Sequence, residues 1–252
     1  MKPPCLALGM LACILSLSGG GCSSAPTVKN LDRDTRSKIT AAKTIYIPPI
    51  TGSDSGNTSD YIVDMWRQIG LNPVSDGGDI TFSYHYIFGS SRMAGQTFIA
   101  GISRPLPMYM SDGNFSFAIE IEGRQAVSVS SNTSGMISYI SYADADDMWL
   151  DALLDSMADT ITELWGAERV IERVQPGGRG CVSLLKAALK AIVRSKDTKS
   201  MKRLISLLRA AEGEKADSAA LKKILIPAMQ TITGTSLTSS AEWETWLNGQ
   251  KQ

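Results

Sequence analysis

A chain of 252 residues with 43% hydrophobic and 20% charged residues has the make-up of globular material rather than of a disordered tail. Basic and acidic residues number 25 each, so no global field points to nucleic acid. The balance is uneven along the chain. Between positions 29 and 167 there are 9 basic and 17 acidic residues, and between 168 and 223 there are 14 basic and 6 acidic ones. That asymmetry predicts two units with different surfaces.

Met1-Lys2-Pro3-Pro4 is a short positive start. The apolar stretch Cys5 to Ser18 is shorter than the ~20 residues that cross a bilayer core. Gly19-Gly20-Gly21-Cys22-Ser23-Ser24 follows and resembles the lipobox of bacterial lipoproteins, in which small residues precede a cysteine that is acylated and exposed by cleavage. Gly20 and Gly21 match its small positions, while Gly19 stands where the family prefers leucine. The resemblance implies a signal peptide over 1–21, lipidation of Cys22, export, and a membrane held through the lipid. Ser23 in place of aspartate implies the outer membrane, facing the periplasm. Cys5 and Cys13 leave with the leader, so Cys181 is the one ordinary thiol, and no internal disulfide or CxxC-type metal pattern arises. Ser23 to Asn30 has no core-forming pattern, and residues 22–42 are expected to be a tether.

Residues 43–172 read as an α+β domain. Thr44 to Ile50 alternates as a half-buried strand until Pro48 and Pro49 end it. Ser59 or Asp60 can cap a helix carrying Ile62, Met65, Trp66 and Ile69, closed by Gly70. In Asp79 to Phe88, Ile80, Phe82, Tyr84, Tyr86 and Phe88 share one face, opposite Thr81, Ser83 and His85. Gly89 to Asp112 is expected to be a long, partly extended connection. Phe115, Phe117, Ile119 and Ile121 alternate again, Glu122-Gly123-Arg124 turns the chain, and Ala126 to Ser130 returns. Asp144, Asp146 and Asp147 place negative charge at a helix start, and Leu150, Leu153, Leu154, Met157, Ile161 and Leu164 follow as a stripe up to Gly166. One antiparallel or mixed sheet with two packed helices is the predicted layout. Lys43 to Pro49, Ile69-Gly70-Leu71 and Asp79 to Phe82 are similar to the layout of small envelope lipoprotein domains. The likeness implies binding or assembly roles at the envelope.

Arg173 to Gly180 has the Pro/Gly density of a linker, and residues 180–252 read as a short all-α segment. Helices are predicted over Cys181 to Ser195, Lys199 to Ala211 and Ala219 to Thr233, each with an apolar stripe. Ile232-Thr233-Gly234 followed by Trp243 and Trp246 resembles the closing turn of bacterial HEAT-type repeats. Fewer than three repeats rarely stand alone, so the segment is expected to dock on the α+β unit.

No nucleophile elbow, phosphate loop or dinucleotide fingerprint occurs, and the single histidine, His85, precludes a multi-histidine metal site. No catalytic residue, metal or cofactor is therefore assigned. The expected function is a non-catalytic binding or assembly module with an envelope protein partner and no nucleic acid. The alternative is a periplasm-facing hydrolase using serine with His85, or a carboxylate pair. Met108, Tyr109 and Met110 read as buried loop packing ahead of a soft contact surface. Lys186, Lys190, Arg194 and Lys202 are candidates for contact with an anionic surface.

Overall fold

Alternation in the central strand decides which side of the sheet is buried. The computed structural model of the chain describes residues 27–49, 58–88, 92–98, 105–138, 142–213 and 218–250. Strands β1 (Thr44–Tyr46), β2 (Asn72–Val74), β3 (Ile80–Phe88), β4 (Arg92–Thr97), β5 (Leu106–Ile121) and β6 (Arg124–Ser138) form one mixed sheet. β1 pairs in parallel with β2 and β3, and the other pairs are antiparallel. Phe117 faces Tyr84 of β3 on one flank and Val129 of β6 on the other. Met110 likewise faces Arg92 and Ile137, so β4 continues the flank of β5 that β3 leaves. On one side of the sheet Ile80, Phe82, Tyr84, Tyr86, Phe115, Phe117, Ile119, Val127 and Val129 are buried.

That side is covered by helices α2 (Thr58–Gln68) and α3 (Tyr142–Trp165), and the chain is an α+β protein. Trp66 stands edge-on to Phe82 at 5.0 Å and to Trp165 at 5.9 Å, which ties sheet, α2 and α3 into one aromatic cluster. The whole expected stripe of α3, from Leu150 to Leu164, is buried. The side chains of Asp144, Asp146 and Asp147 lie outside the described residues. The start of β3 is locked to β1, because Asp79 accepts the N–H groups of Lys43 and Thr44 at 2.8 and 3.0 Å. The N–H of Asp79 donates back to Thr44 Oγ1, and those backbone donors hold its carboxyl below the usual range.

Three expectations are corrected. Residues 22–42 are not all tether. A 3-10 turn (Thr27–Asn30) and helix α1 (Arg33–Ala41) fold onto the domain, with Val28 and Ile39 fully buried. Asp32 caps α1 by accepting the Thr35 N–H, a short-range signal masked by the polar helix behind it. The expected connection over 89–112 contains β4 and the first part of β5. The expected linker, Arg173 to Gly180, starts on the last residue of an unpredicted helix, α4 (Ala167–Arg173), and ends in the first turn of α5 (Gly178–Ser195), whose Gly180 is buried against Met65 and Tyr61. Helices α6 (Met201–Glu212), α7 (Ser218–Thr233) and α8 (Ser240–Gly249) complete the chain. One continuous buried cluster runs from Val28 to Trp243.

Contacts between elements also order the molecule along its length. Asp155 pairs with Lys186 and Asp159 with Lys190, so α3 and α5 run parallel and end together. α1 sits at that same end, since Arg36 donates to Glu163 O at 2.9 Å and Lys38 meets Glu122 of the β5–β6 turn at 3.0 Å. Four arginines bind chain segments through part-buried backbone carbonyls: Arg36 to Val28 and Glu163, Arg169 to Thr40, Arg173 to Ile69, and Arg203 to Ile171 and Val174. The opposite end is β4 with the adjoining parts of β5 and β6. From Ile121 to Leu106, β5 spans ~50 Å at about 3.3 Å per residue.

Helix α8 opens on a capping box, in which Ser239 Oγ accepts the Glu242 N–H and Glu242 accepts from Thr238 and Ser239, each at 2.9 Å. These donors lower the Glu242 pKa from 4.5 to about 2. A depressed carboxylate contributes its full stabilisation above the unfolded pKa and loses it as pH falls through the folded one. Glu242→Ala is therefore expected to melt below the wild type at neutral pH, with the gap narrowing between pH 4.5 and 2. Thermal melts across pH would show this, and a constant gap would refute it.

Candidate functional site

The basic residues singled out in the sequence do not form one open face. Lys186 Nζ stands 2.5 Å from Asp155 and Lys190 Nζ 3.9 Å from Asp159, so the acidic stripe of α3 neutralises the middle of α5. Sequence spacing within α5 cannot show this, because the acids come from another helix. Arg194 and Lys202 are exposed, as are Lys196 and Lys199 in the turn between α5 and α6. Cys22 lies outside the described residues.

A cleft of about 640 Å³ runs between α4 and the last two turns of α5, lined by Glu168, Arg169, Glu172, Ile192, Ser195 and Asp197 among others. A second, of about 390 Å³, shares Glu168 and Glu172 and is completed by Lys199, Lys202 and Arg203. A hydrogen bond to Asp197 raises the Glu168 carboxyl, while the Lys199 N–H holds Asp197 low. Arg169 and Arg203 turn away to backbone carbonyls, at 3.2 Å to Thr40 and at 2.6 Å to Val174. Several groups bordering the clefts are thus bonded to one another or to backbone carbonyls, while Arg169 Nε is buried without a hydrogen bond and Glu172 is exposed. Among the described residues no group of three or more His, Cys, Asp or Glu is placed to hold a metal ion. No described helix is long and apolar enough to cross a membrane.

His85 lies half-buried on the side of the sheet opposite the core. The register sets Ser116 beside it and Ser130 beyond Ser116. The rows before and after are Ser83, Ala118, Ser128 and Ile87, Asn114, Asn132, so none of the three rows holds a carboxylate. A Ser/His/Asp arrangement would need its acid from elsewhere.

The arm made by β4 and the adjoining parts of β5 and β6 is different in kind. Trp149 marks its base, lying where a β-carbon on Gly113 would come within 2.9 Å of the indole. Leu106, Pro107, Met108, Tyr109 and Met110 are all half-exposed in β5, so the expected burial of Met108, Tyr109 and Met110 in a loop is corrected. Around them Ile87 is 40%, Met93 51% and Phe98 76% exposed. The sequence signal for this surface was PLPMYM itself, whose alternation is hidden because both faces carry apolar residues.

No family model matches the sequence, and no curated protein matches it. Among solved structures the chain is similar to a neuraminyllactose-binding hemagglutinin homolog from Helicobacter pylori. The two share 9% identity over 48% of this chain and 80% of that one, with a TM-score of 0.34. At that level the likeness carries no argument about function.

Proposed function

We propose that the chain is an exported lipoprotein, acylated at Cys22, that serves as a non-catalytic binding or assembly module at the cell envelope. In this reading it is held on the outer membrane and faces the periplasm, and α5 to α8 act as a short HEAT-like brace. The observation that carries the binding role is the arm, where Met93 on β4 and Phe98 just beyond its end are exposed, as is Ile87 near the end of β3. Large apolar side chains grouped outside a core favour a partner that covers them. They line a sheet flank rather than a cavity, which suits an envelope protein better than a small ligand. No cofactor or nucleic acid enters this reading.

The lipid is tested by Cys22→Ala, which is expected to abolish incorporation of labelled fatty acid and to release the chain from the membrane fraction. Unchanged labelling would refute it. The arm is tested by Met93→Ser with Phe98→Ser. Exposed positions contribute little to stability, so the melting temperature should hold while co-purification of envelope partners falls. Retention of every partner by that variant would remove the arm from the proposal.

A further inference from the structure

We infer that the turn between α5 and α6 is a second membrane contact: Arg194, Lys196, Lys199 and Lys202 meet the anionic lipid headgroups of the bilayer that holds the anchor. The inference rests on lipidation at Cys22 for its orientation. From Cys22 to Thr27 the chain spans at most ~18 Å when fully extended. The turn at Thr27–Asn30 is held beside Glu163, because Arg36 grips both Glu163 O and Val28 O. Glu163 lies in the last turn of α3, and the parallel pairing of Asp155 with Lys186 and Asp159 with Lys190 brings the last turn of α5 to the same end. Arg169 of α4 reaches Thr40 of α1 across that end. Tether and basic turn therefore face the same way, and the arm points ~50 Å in the opposite direction.

Charge favours the lipid as occupant. Among the described residues no carboxylate stands within ion-pairing distance of Arg194, Lys196 or Lys202, whereas Lys186 and Lys190 are paired. Four acids at the same end are engaged, while Glu172 borders the cleft that Lys199 and Lys202 complete. Asp34 pairs with Lys38, Asp32 caps α1, Asp197 accepts the Lys199 N–H, and Glu168 bonds to Asp197. Lys196 adds a backbone observation. It closes α5 with φ 51 and ψ 35, a left-handed conformation in which glycine is the usual residue. One acyl chain alone binds reversibly, and a basic patch beside the lipid strengthens retention.

The test uses the unlipidated mature chain and vesicles of phosphatidylglycerol with phosphatidylcholine, against phosphatidylcholine alone. Arg194→Gln, Lys196→Gln and Lys202→Gln together should weaken binding on the order of a hundredfold, at roughly fivefold per cation near the surface. Lys186→Gln with Lys190→Gln should change it less than about twofold, since those charges are already compensated. Added salt should mimic the first set. Lys196→Gly separates folding from contact, because it should hold or raise the melting temperature while weakening binding. A second measurement places the turn in the lipidated protein. A donor dye on Thr198→Cys should transfer strongly to a headgroup acceptor and one on Met93→Cys weakly, with buried Cys181 left unlabelled. Equal effects of the two Gln sets, salt-independent binding, or stronger transfer from position 93 would overturn the inference. Failure of the Cys22→Ala labelling test would refute the anchor and leave the vesicle comparison standing, so the two outcomes are distinguishable.

Discussion

Gly78→Ala is expected to cost about 3 kcal/mol or more, because the added methyl would have only backbone to press against. Its β-carbon would lie 2.8 Å from the Ile45 carbonyl carbon, closer still to the Tyr46 nitrogen, and 3.0 Å from Ile80 O. A crowded side chain can change rotamer, but two strands can only separate. Separation would break the parallel pairing of β1 with β3 and the grip of Asp79 on Lys43 and Thr44. Gly77→Ala is the control. Its site has φ 64 with nothing within 4 Å, so only the left-handed conformation is charged, at ~1 kcal/mol. Denaturant unfolding of the two variants should differ by the contrast between them. Equal midpoints would mean that the close approach of β1 is absent.

Dividing the chain at Gly177 should leave neither part folded. Leu184, Leu185, Ala188, Leu189 and Ile192 of α5 are buried in the cluster that also contains Met65, Leu153, Leu154 and Met157. Each large aliphatic side chain returned to water costs ~1.5–3 kcal/mol, and a whole domain has only ~5–15 kcal/mol of net stability. A fragment over 178–252 is expected to melt without a cooperative transition. The remainder is expected to bind a hydrophobic dye, and mixing the two should restore a native spectrum. A cooperative transition in the fragment alone would show an independent domain.

The parts of this architecture that were legible in the sequence are those with strong local periods. β3 and β5 alternate so regularly that their buried faces could be named residue by residue, and the stripe of α3 was complete. Three of the four helices that end the chain, α5, α6 and α7, were visible for the same reason. The missing elements are short or polar and are held by distant partners. β2 contains Pro73 and exists because β1 lies beside it. α1 has one fully buried side chain, Ile39, and is fastened by its arginine and lysine to α3 and the β5–β6 turn. α4 was hidden by the Pro/Gly run that follows it. At the site, the exposure of Arg194 and Lys202 and the neutralisation of Lys186 and Lys190 look alike in α5 and α6, because the deciding carboxylates sit on α3. The arm was obscured by apolar residues on both faces, which erases the period of two.

The length of β5 and β6 also sets how the molecule bears mechanical load. A pull between the N-terminal turn and the tip of the arm acts nearly parallel to these strands. The ladder joining Tyr109 to Ser138 at one end and Ile121 to Arg124 at the other must then slide as a unit, its hydrogen bonds sharing the strain. A pull across the sheet would open the same bonds one after another. The chain is therefore a stiff strut along one axis and a weak one across it. In the proposed orientation, with a membrane behind it and a partner ahead, the load would fall along the direction in which it resists best.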